Sequence, residues 1–582
     1  MMDFRTEYPR PQLARKDWLC LDGVWDFLID NEETGISKGY EKLDSFEQKI
    51  NVPFCPESKL SGIGHTDFMN CVWYRRTFTL PREYAGRRIL LHFGAVDYEA
   101  IVFINGKKVG THKGGYTPFY FDVTDKLTDG ENVITLCAYD HGRSGLQPAG
   151  KQSRRYGSYG CYYTRTTGIW QTVWIEPVSD ARVESYRVYP DVASCRAVLE
   201  FRLHGASSGM KIGAMASYEG RFVGYGESIV TGNVARIVLD LREKHLWEAG
   251  HGRLYDIDVT LSGKDGISDS FRGYFGLREV GLCERGMTLN GKIFFGRWVL
   301  DQGFYPDGIY TAPSDEALKN DILLSLQLGF NGARLHQKVF EPRFLYWADR
   351  LGYTVWGEQG NWGLDVSDTG AVTRFLPEWL EAVERDFNHP SLIGWCPFNE
   401  TWDNSETGKR QCDEVLRTVY LATKTADPTR PVIDTSGNYH VVSDIFDVHD
   451  YEQDPAKFTE NYAHIADGIV NDQINRKTPK RQTYPGGPVF MSEYGGIKWD
   501  VSSGENGWGY GKSVCSEEEF IERYRALTDS LLDNPYIMGF CYTQLYDVEQ
   551  ERNGLMTYER KFKFDPEIFR AINSRKAKIE EE

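Results

Sequence analysis

A strand buried on both faces has no packing reason to end in a carboxylate. In this chain, two predicted strands end that way. His389-Pro390-Ser391-Leu392-Ile393-Gly394-Trp395-Cys396-Pro397-Phe398-Asn399-Glu400 is a short apolar run closed by Pro-Phe, with an Asn-Glu pair at its tip. A run of this length, ended by a turn signal, predicts a strand buried on both faces. Pro488-Val489-Phe490-Met491-Ser492-Glu493-Tyr494-Gly495-Gly496 is built alike. In a barrel of parallel strands the chemistry sits at the carboxyl ends. Glu400 and Glu493 are therefore expected to face each other across one pocket.

The surrounding chain has the period of such a barrel. From 314 to 329 the pattern predicts a helix capped by Ser314, with Leu318, Ile322, Leu323 and Leu326 on its apolar face and Gly329 as its stop. Further helices are expected over 344–351, 376–387, 414–426 and 517–532. Strands are expected over 331–336, 353–358, 431–434, 445–449 and 537–542. Repeated βα units mean a parallel sheet. About 300 residues holding roughly eight units is the size of a (β/α)8 TIM barrel. This assigns 281–582 to a TIM-barrel catalytic domain.

Upstream the period is two. Residues 1–180 carry short strand-like runs at 25–29, 73–78, 89–93 and 133–136, and Asn105-Gly106 signals a hairpin. They predict a jelly-roll, sugar-binding-like domain whose main work is to scaffold the rest. Within it, 154–167 is rich in Tyr, Arg and Gly and is a candidate to reach into a neighbouring site. Residues 181–280 alternate again, as in an immunoglobulin-like β-sandwich that spaces and packs.

A length of 582 residues fits two to four domains. A net charge of −17 argues against a nucleic-acid surface. The eleven cysteines are scattered with no C-x-x-C pair, which predicts free thiols, with neither a zinc site nor a disulfide framework. No His/Asp cluster stands at ligand spacing, so no metal and no cofactor are expected. The start lacks an apolar core and no later run approaches a membrane span, which predicts a cytoplasmic protein with no membrane partner.

If the barrel register holds, Arg334, His336, Glu358, Asn399, Glu400, His449, Tyr451, Glu493, Tyr542 and Gln544 share one rim. Two carboxylates in an aromatic-lined pocket are the equipment for glycosidic bond cleavage. One must be a protonated acid and the other an anion, and burial with mutual repulsion separates them. Trp508, on a long loop that includes 504–507, suits stacking on a sugar face and suits plugging the loop equally well. His389, before Pro390, is expected to be structural.

These motifs resemble glycoside hydrolase family 2, the retaining β-galactosidase, β-glucuronidase and β-mannosidase family, over nearly the whole chain. Trp18-Leu19-Cys20-Leu21-Asp22-Gly23-Val24-Trp25 is similar to the family's N-terminal start, and Gly168-Ile169-Trp170-Gln171-Thr172-Val173-Trp174 to the close of its sugar-binding-like domain. Asn399-Glu400 resembles its acid/base signature on the fourth strand. Ser492-Glu493-Tyr494-Gly495 resembles its nucleophile signature on the seventh. The resemblance implies that Glu493 attacks the anomeric carbon and Glu400 protonates the leaving oxygen and then activates water. It implies that Asn399 bonds the sugar 2-hydroxyl while Arg334 and Tyr451 hold Glu493 ionised. His336, Glu358, His449, Trp508 and Tyr542 become candidate sugar contacts.

Three departures bear on the sugar. Arg297-Trp298-Val299-Leu300-Asp301-Gln302-Gly303 stands where the family's first-strand Asn-Arg/Lys-His-Glu is expected, making Asp301 a candidate substrate ligand or a local structural group. Arg334-Leu335-His336 replaces the usual Arg-x-Ser-His. After the last strand, 547–553 has no Asn-x-Lys of the kind β-glucuronidases use for the uronate, although Arg552 offers a positive charge there. The resulting expectation is a retaining exo-β-glycosidase, a β-galactosidase in the first place, with β-glucuronidase or β-galacturonidase activity as the alternative. A non-catalytic carbohydrate-binding protein is the alternative of another class. The expected partner is a small glycoside or oligosaccharide, and the reading leaves room for a homo-oligomer.

Overall fold

Strands that bury only alternate residues must find a second sheet to cover them, and the first third of the chain does so. In a computed structural model, which describes residues 5–403, 409–479, 481–499 and 507–581, an antiparallel sheet of four strands and one of six are formed before residue 178. Trp25, Phe27, Tyr74, Leu91, Phe93, Val102 and Leu136 share one buried core. The Asn105-Gly106 hairpin joins Glu99–Ile104 to Lys107–Lys113, with φ of 50° and 72°. Both values are positive, as a two-residue turn matched to strand twist requires.

A second pair of sheets, of three and four strands, runs from Arg182 to Phe275. Its strand Val234–Asp240 alternates exposed and buried residues along its length. Leu199, Phe201, Ile237, Leu239, Ile257 and Val259 fill the space between the sheets. A buried ion cluster ties the two sandwiches together. Arg15 donates to Glu176 Oε2 at 3.1 Å and to Asp269 Oδ2 at 2.9 Å, and Arg10 donates to Glu176 at 2.7 Å.

The remainder is a ring of parallel strands: β1 Gly296–Asp301, β2 Gly332–Leu335, β3 Thr354–Glu358, β4 Leu392–Cys396, β5 Thr435–Ser436, β6 Phe446–Asp450, β7 Val489–Gly495 and β8 Ile537–Thr543. Seven pair in the order β4-β3-β2-β1-β8-β7-β6. The short β5 pairs with Phe398–Asn399, the continuation of β4. Trp298, Trp356, Phe490, Ile393, Cys396, Met538 and Cys541 plug the ring's interior. Helices Asp315–Gln327, Pro342–Leu351, Ala371–Asp386, Asp413–Ala426 and Glu517–Leu532 cover its outside. Ser314 and Ser516 cap two of these helices by accepting from backbone N–H groups three residues on, each at 3.2 Å.

The strand expected over 431–434 is not formed; Val432 makes only an isolated bridge to Trp395, and regular pairing begins at Thr435. Pro431 has no N–H to give. Asp434 turns its carboxylate onto the amides of Thr435, Val441 and Val442, at 2.8, 2.6 and 3.0 Å, and this local turn displaces the ladder. His389 is structural, as expected: its Nδ1 lies 2.6 Å from Asp349, which also accepts from Ser391 N at 2.9 Å. Among the described residues, no helix is long and apolar enough to cross a membrane.

Candidate active site

Side chains alternate along a strand, so on β2 the neighbours of Arg334 decide where it points. Ala333 and Leu335 join the core under the helices. Arg334 therefore faces the barrel interior, where it is only 2% exposed. A guanidinium there must be paired. Nε donates to Glu358 Oε2 at 2.7 Å. Nη1 donates to Glu493 Oε1 at 2.9 Å and to Ser492 O at 3.1 Å. Nη2 donates to Asn399 Oδ1. One side chain thus ties the tips of β2, β3 and β7 to the end of β4. His336 stands beside it, with Nδ1 2.8 Å from Glu358 Oε1.

Glu493 is buried with both oxygens held, Oε1 by Arg334 and Oε2 by the Tyr451 hydroxyl. Burial pushes its pKa up, but the charges of His449, Arg334, His336 and Lys151 outweigh that and bring it down to about 2. It is an anion across the neutral range. Glu400 takes the left-handed backbone, with φ of 47°. That conformation costs an L-residue roughly 1–2 kcal/mol. It is held by the Glu400 N–H donating to Ser436 O at 3.0 Å and by His449 Nδ1 at 2.8 Å from Glu400 Oε1. One ligating atom from each of Glu400, His449 and Glu493 lies within 4.8 Å of the others. Three strand tips supply this cluster, so no spacing in the sequence reveals it. A shared cation would sit beside the Arg334 guanidinium, which argues against one.

Behind the pair runs a second polar layer. The Ser436 hydroxyl is 2.9 Å from His449 Nε2 and donates to Asp447 Oδ2 at 2.6 Å. His440 bridges Asp434, 2.7 Å from Nδ1, and Asp447, 3.1 Å from Nε2. Burial pushes the His440 pKa down, but the two aspartates outweigh it and raise it well above the ordinary value. A raised histidine gives its full stabilisation below about pH 6.5 and loses it as pH rises through the folded-state value. His440→Ala is expected to cost about 3 kcal/mol at mildly acidic pH, as when one partner of a buried pair is removed. The gap from wild type should narrow in alkali. Urea midpoints at both pH values check this; an unchanging gap would refute it.

The sequence did not single out Asn361 and Trp362, which follow β3. Asn361 Oδ1 accepts from Asn399 N at 2.8 Å, and Asn361 Nδ2 and Trp362 Nε1 each donate to Asn399 O at 3.1 Å. They fix the residue before Glu400 and leave Asn399 Nδ2 buried without a partner among the described residues. An amide side chain three residues past a strand tip, followed by a tryptophan, was the available signal. Trp508 reaches the site through rings. It meets Tyr510 edge-on at 5.0 Å, and Tyr510 stacks on Tyr451 at 3.4 Å. Residues 504–506 of its loop lie outside the described residues.

Two candidates stand apart from the pair. Asp301 is bound locally, accepting from Gly303 N at 2.9 Å and from the Tyr546 hydroxyl. Burial first, and then Asp321, raises its pKa to about 6. Tyr542 faces the helix layer, its ring 4.8 Å from Tyr524 and 5.6 Å from Tyr494. The period-2 alternation puts its neighbours inward instead, and the Thr543 hydroxyl lies 3.2 Å from that of Tyr451.

The loop over 154–167 does reach this rim. Tyr163 donates to Glu551, Thr164 N donates to Glu549 at 2.9 Å, and the Tyr162 ring lies 5.1 Å from Trp362.

Two β-sandwiches leading into a TIM barrel with paired carboxylates at its rim make a glycoside hydrolase architecture. Comparison narrows the class. The sugar-binding domain of glycosyl hydrolases family 2 matches residues 64–147, the family's central domain matches 181–278 and its TIM barrel domain matches 311–506. The chain belongs to glycosyl hydrolases family 2. A β-galactosidase of Thermoanaerobacterium thermosulfurigenes is 26% identical over 507 residues, 84% of this chain and 66% of that protein. A β-glucuronidase of Canis lupus familiaris is 25% identical over 538 residues, 84% of this chain and 79% of that protein. In fold, the chain is similar to a Bifidobacterium dentium β-glucuronidase solved with coumarin-3-O-glucuronide, with a TM-score of 0.80 at 20% identity, covering 97% of this chain and 98% of that one. It is also similar to a Ruminococcus gnavus β-glucuronidase, with a TM-score of 0.78 at 19% identity, covering 98% and 100%.

Proposed function

We propose that this chain is a retaining exo-β-glycosidase in which Glu493 is the nucleophile and Glu400 the acid/base. One observation carries the reading: oxygens of the two carboxylates lie within 4.8 Å, with one held anionic by Arg334 and Tyr451. A retaining pair needs roughly 5–5.5 Å between carboxyl groups, whereas an inverting pair leaves room for a water at 6.5–9.5 Å.

In the first step Glu493 forms a bond to the anomeric carbon as the bond to the leaving oxygen breaks. Glu400 gives that oxygen its proton. In the second step Glu400 takes a proton from water, whose oxygen displaces Glu493. Asn399 Nδ2, a buried donor with no partner among the described residues, suits the sugar 2-hydroxyl, whose bond strengthens in the transition state.

Terminal β-galactosides and β-hexuronides both fit this machinery, and the relatives carry both names. A panel of p-nitrophenyl β-glycosides, with NMR of the first anomer released, tests the proposal. Expected is the β-anomer ahead of mutarotation. First release of the α-anomer would overturn the mechanism. Sugar binding with no hydrolysis across the panel would favour a non-catalytic carbohydrate-binding protein.

A further inference from the structure

Lys151 belongs to the N-terminal sandwich yet lies at the barrel rim, only 6% exposed. Its backbone is fixed there. Tyr163 N donates to Lys151 O at 2.8 Å, and the preceding Ala149 N and Gly150 N donate to Trp362 O at 2.7 and 3.0 Å. Its ammonium sits 4.3 Å from the centroid of the Trp362 ring, whose own N–H holds Asn399. Among the described residues the ammonium makes no hydrogen bond and no ion pair, although three carboxylates are near. Each of those is engaged elsewhere: Glu493 with Arg334 and Tyr451, Glu400 with His449, and Glu551 with Tyr163 and Asn553.

A buried lysine without partners ordinarily sheds its proton. Burial does push the Lys151 pKa down, but Cys161, Glu551, Glu493 and Glu400 outweigh it and leave the pKa raised. The site therefore holds a charged group with three unused donors. Charge-assisted hydrogen bonds to an anionic ligand are open to it. Lys151 is also close enough to His336, at the tip of β2, to lower that imidazole's pKa after burial has done so. Tyr163, whose N–H donates to Lys151 O, donates its hydroxyl to Glu551, so Lys151 stands beside the segment that follows the last barrel strand. Around a hexose, the substituent that pairs with a full positive charge is a carboxylate at C6.

We infer that Lys151 is a specificity-determining residue that binds the C6 carboxylate of a β-hexuronide. This rests on the retaining β-glycosidase reading and selects among its substrates. It places the cation on the sandwich loop, in a chain that lacks Asn-x-Lys after the last barrel strand.

The test compares kcat/KM of wild type on p-nitrophenyl β-D-glucuronide and β-D-galacturonide with the matching glucoside and galactoside. At least one uronide should exceed its neutral counterpart by about tenfold or more. In Lys151→Met that uronide-to-neutral ratio should fall about 10²-fold, within the range for a truncated buried charge pair. Lys151→Arg, which keeps the charge, should retain the preference. Wild type preferring neutral sugars, or a ratio unmoved in Lys151→Met, would overturn the inference while leaving the glycosidase reading standing. Should Lys151→Met fail to fold, the wild-type ratio and Lys151→Arg still decide. No turnover of any glycoside by wild type would overturn the glycosidase reading, and this inference with it.

Discussion

Glu493→Ala is expected to lower kcat/KM on p-nitrophenyl β-glycosides by about 10⁴- to 10⁶-fold, the scale set by removing a covalent nucleophile. The cause is local. Glu493 is the one carboxylate whose two oxygens are fixed by Arg334 and Tyr451 and whose surroundings hold it ionised. The variant should nonetheless fold, because Arg334 keeps Glu358 and Asn399 as partners. Removing the side chain opens a gap on the face of the sugar opposite the leaving group. Azide entering that gap forms the C–N bond while Glu400 still protonates the departing oxygen. The product should be the α-glycosyl azide, with restored turnover. Near-normal activity without azide, or a β-glycosyl azide, would refute the assignment of Glu493.

The two carboxylates were legible because an anionic residue at the carboxyl end of a doubly buried apolar run is a local anomaly, and the structure carries β7 past Glu493 to Gly495. Arg334 was legible as a charge set among the apolar residues of a short strand, and the structure makes it the hub joining Glu358, Asn399 and Glu493. Tyr542 was misplaced although period 2 was available. Cys541 fills the barrel interior, so its neighbour had to face the helices. The strand expected over 431–434 fell to chemistry that hydrophobicity does not report, an aspartate capping three amides. Lys151 lay beyond any local pattern. It stands on a sandwich loop, and only domain docking carries it to Trp362, 211 positions later in the chain (362 − 151). Asn361 was missed because its task is to orient the backbone of Asn399, a role visible only when both chain segments are in place.

Glu400→Ala should be penalised according to the leaving group. A substrate whose aglycone needs no proton, such as a dinitrophenyl glycoside, still reaches the glycosyl-enzyme, since Glu493 and its partners are untouched. The intermediate should then accumulate, because no base remains for water, and a burst should precede slow turnover. With a poor leaving group, such as an alkyl glycoside, the first step loses its acid and kcat/KM should drop by about 10²- to 10⁴-fold, the usual reach of general acid catalysis. Azide acts here on the second step. It needs no base and attacks the glycosyl-enzyme from the face where Glu400 stood, so the product should be the β-glycosyl azide. The anomer is thus opposite to that from Glu493→Ala, and the contrast follows from placing the two carboxylates on opposite faces of one anomeric carbon. The same anomer from both variants would mean that Glu400 and Glu493 do not flank it.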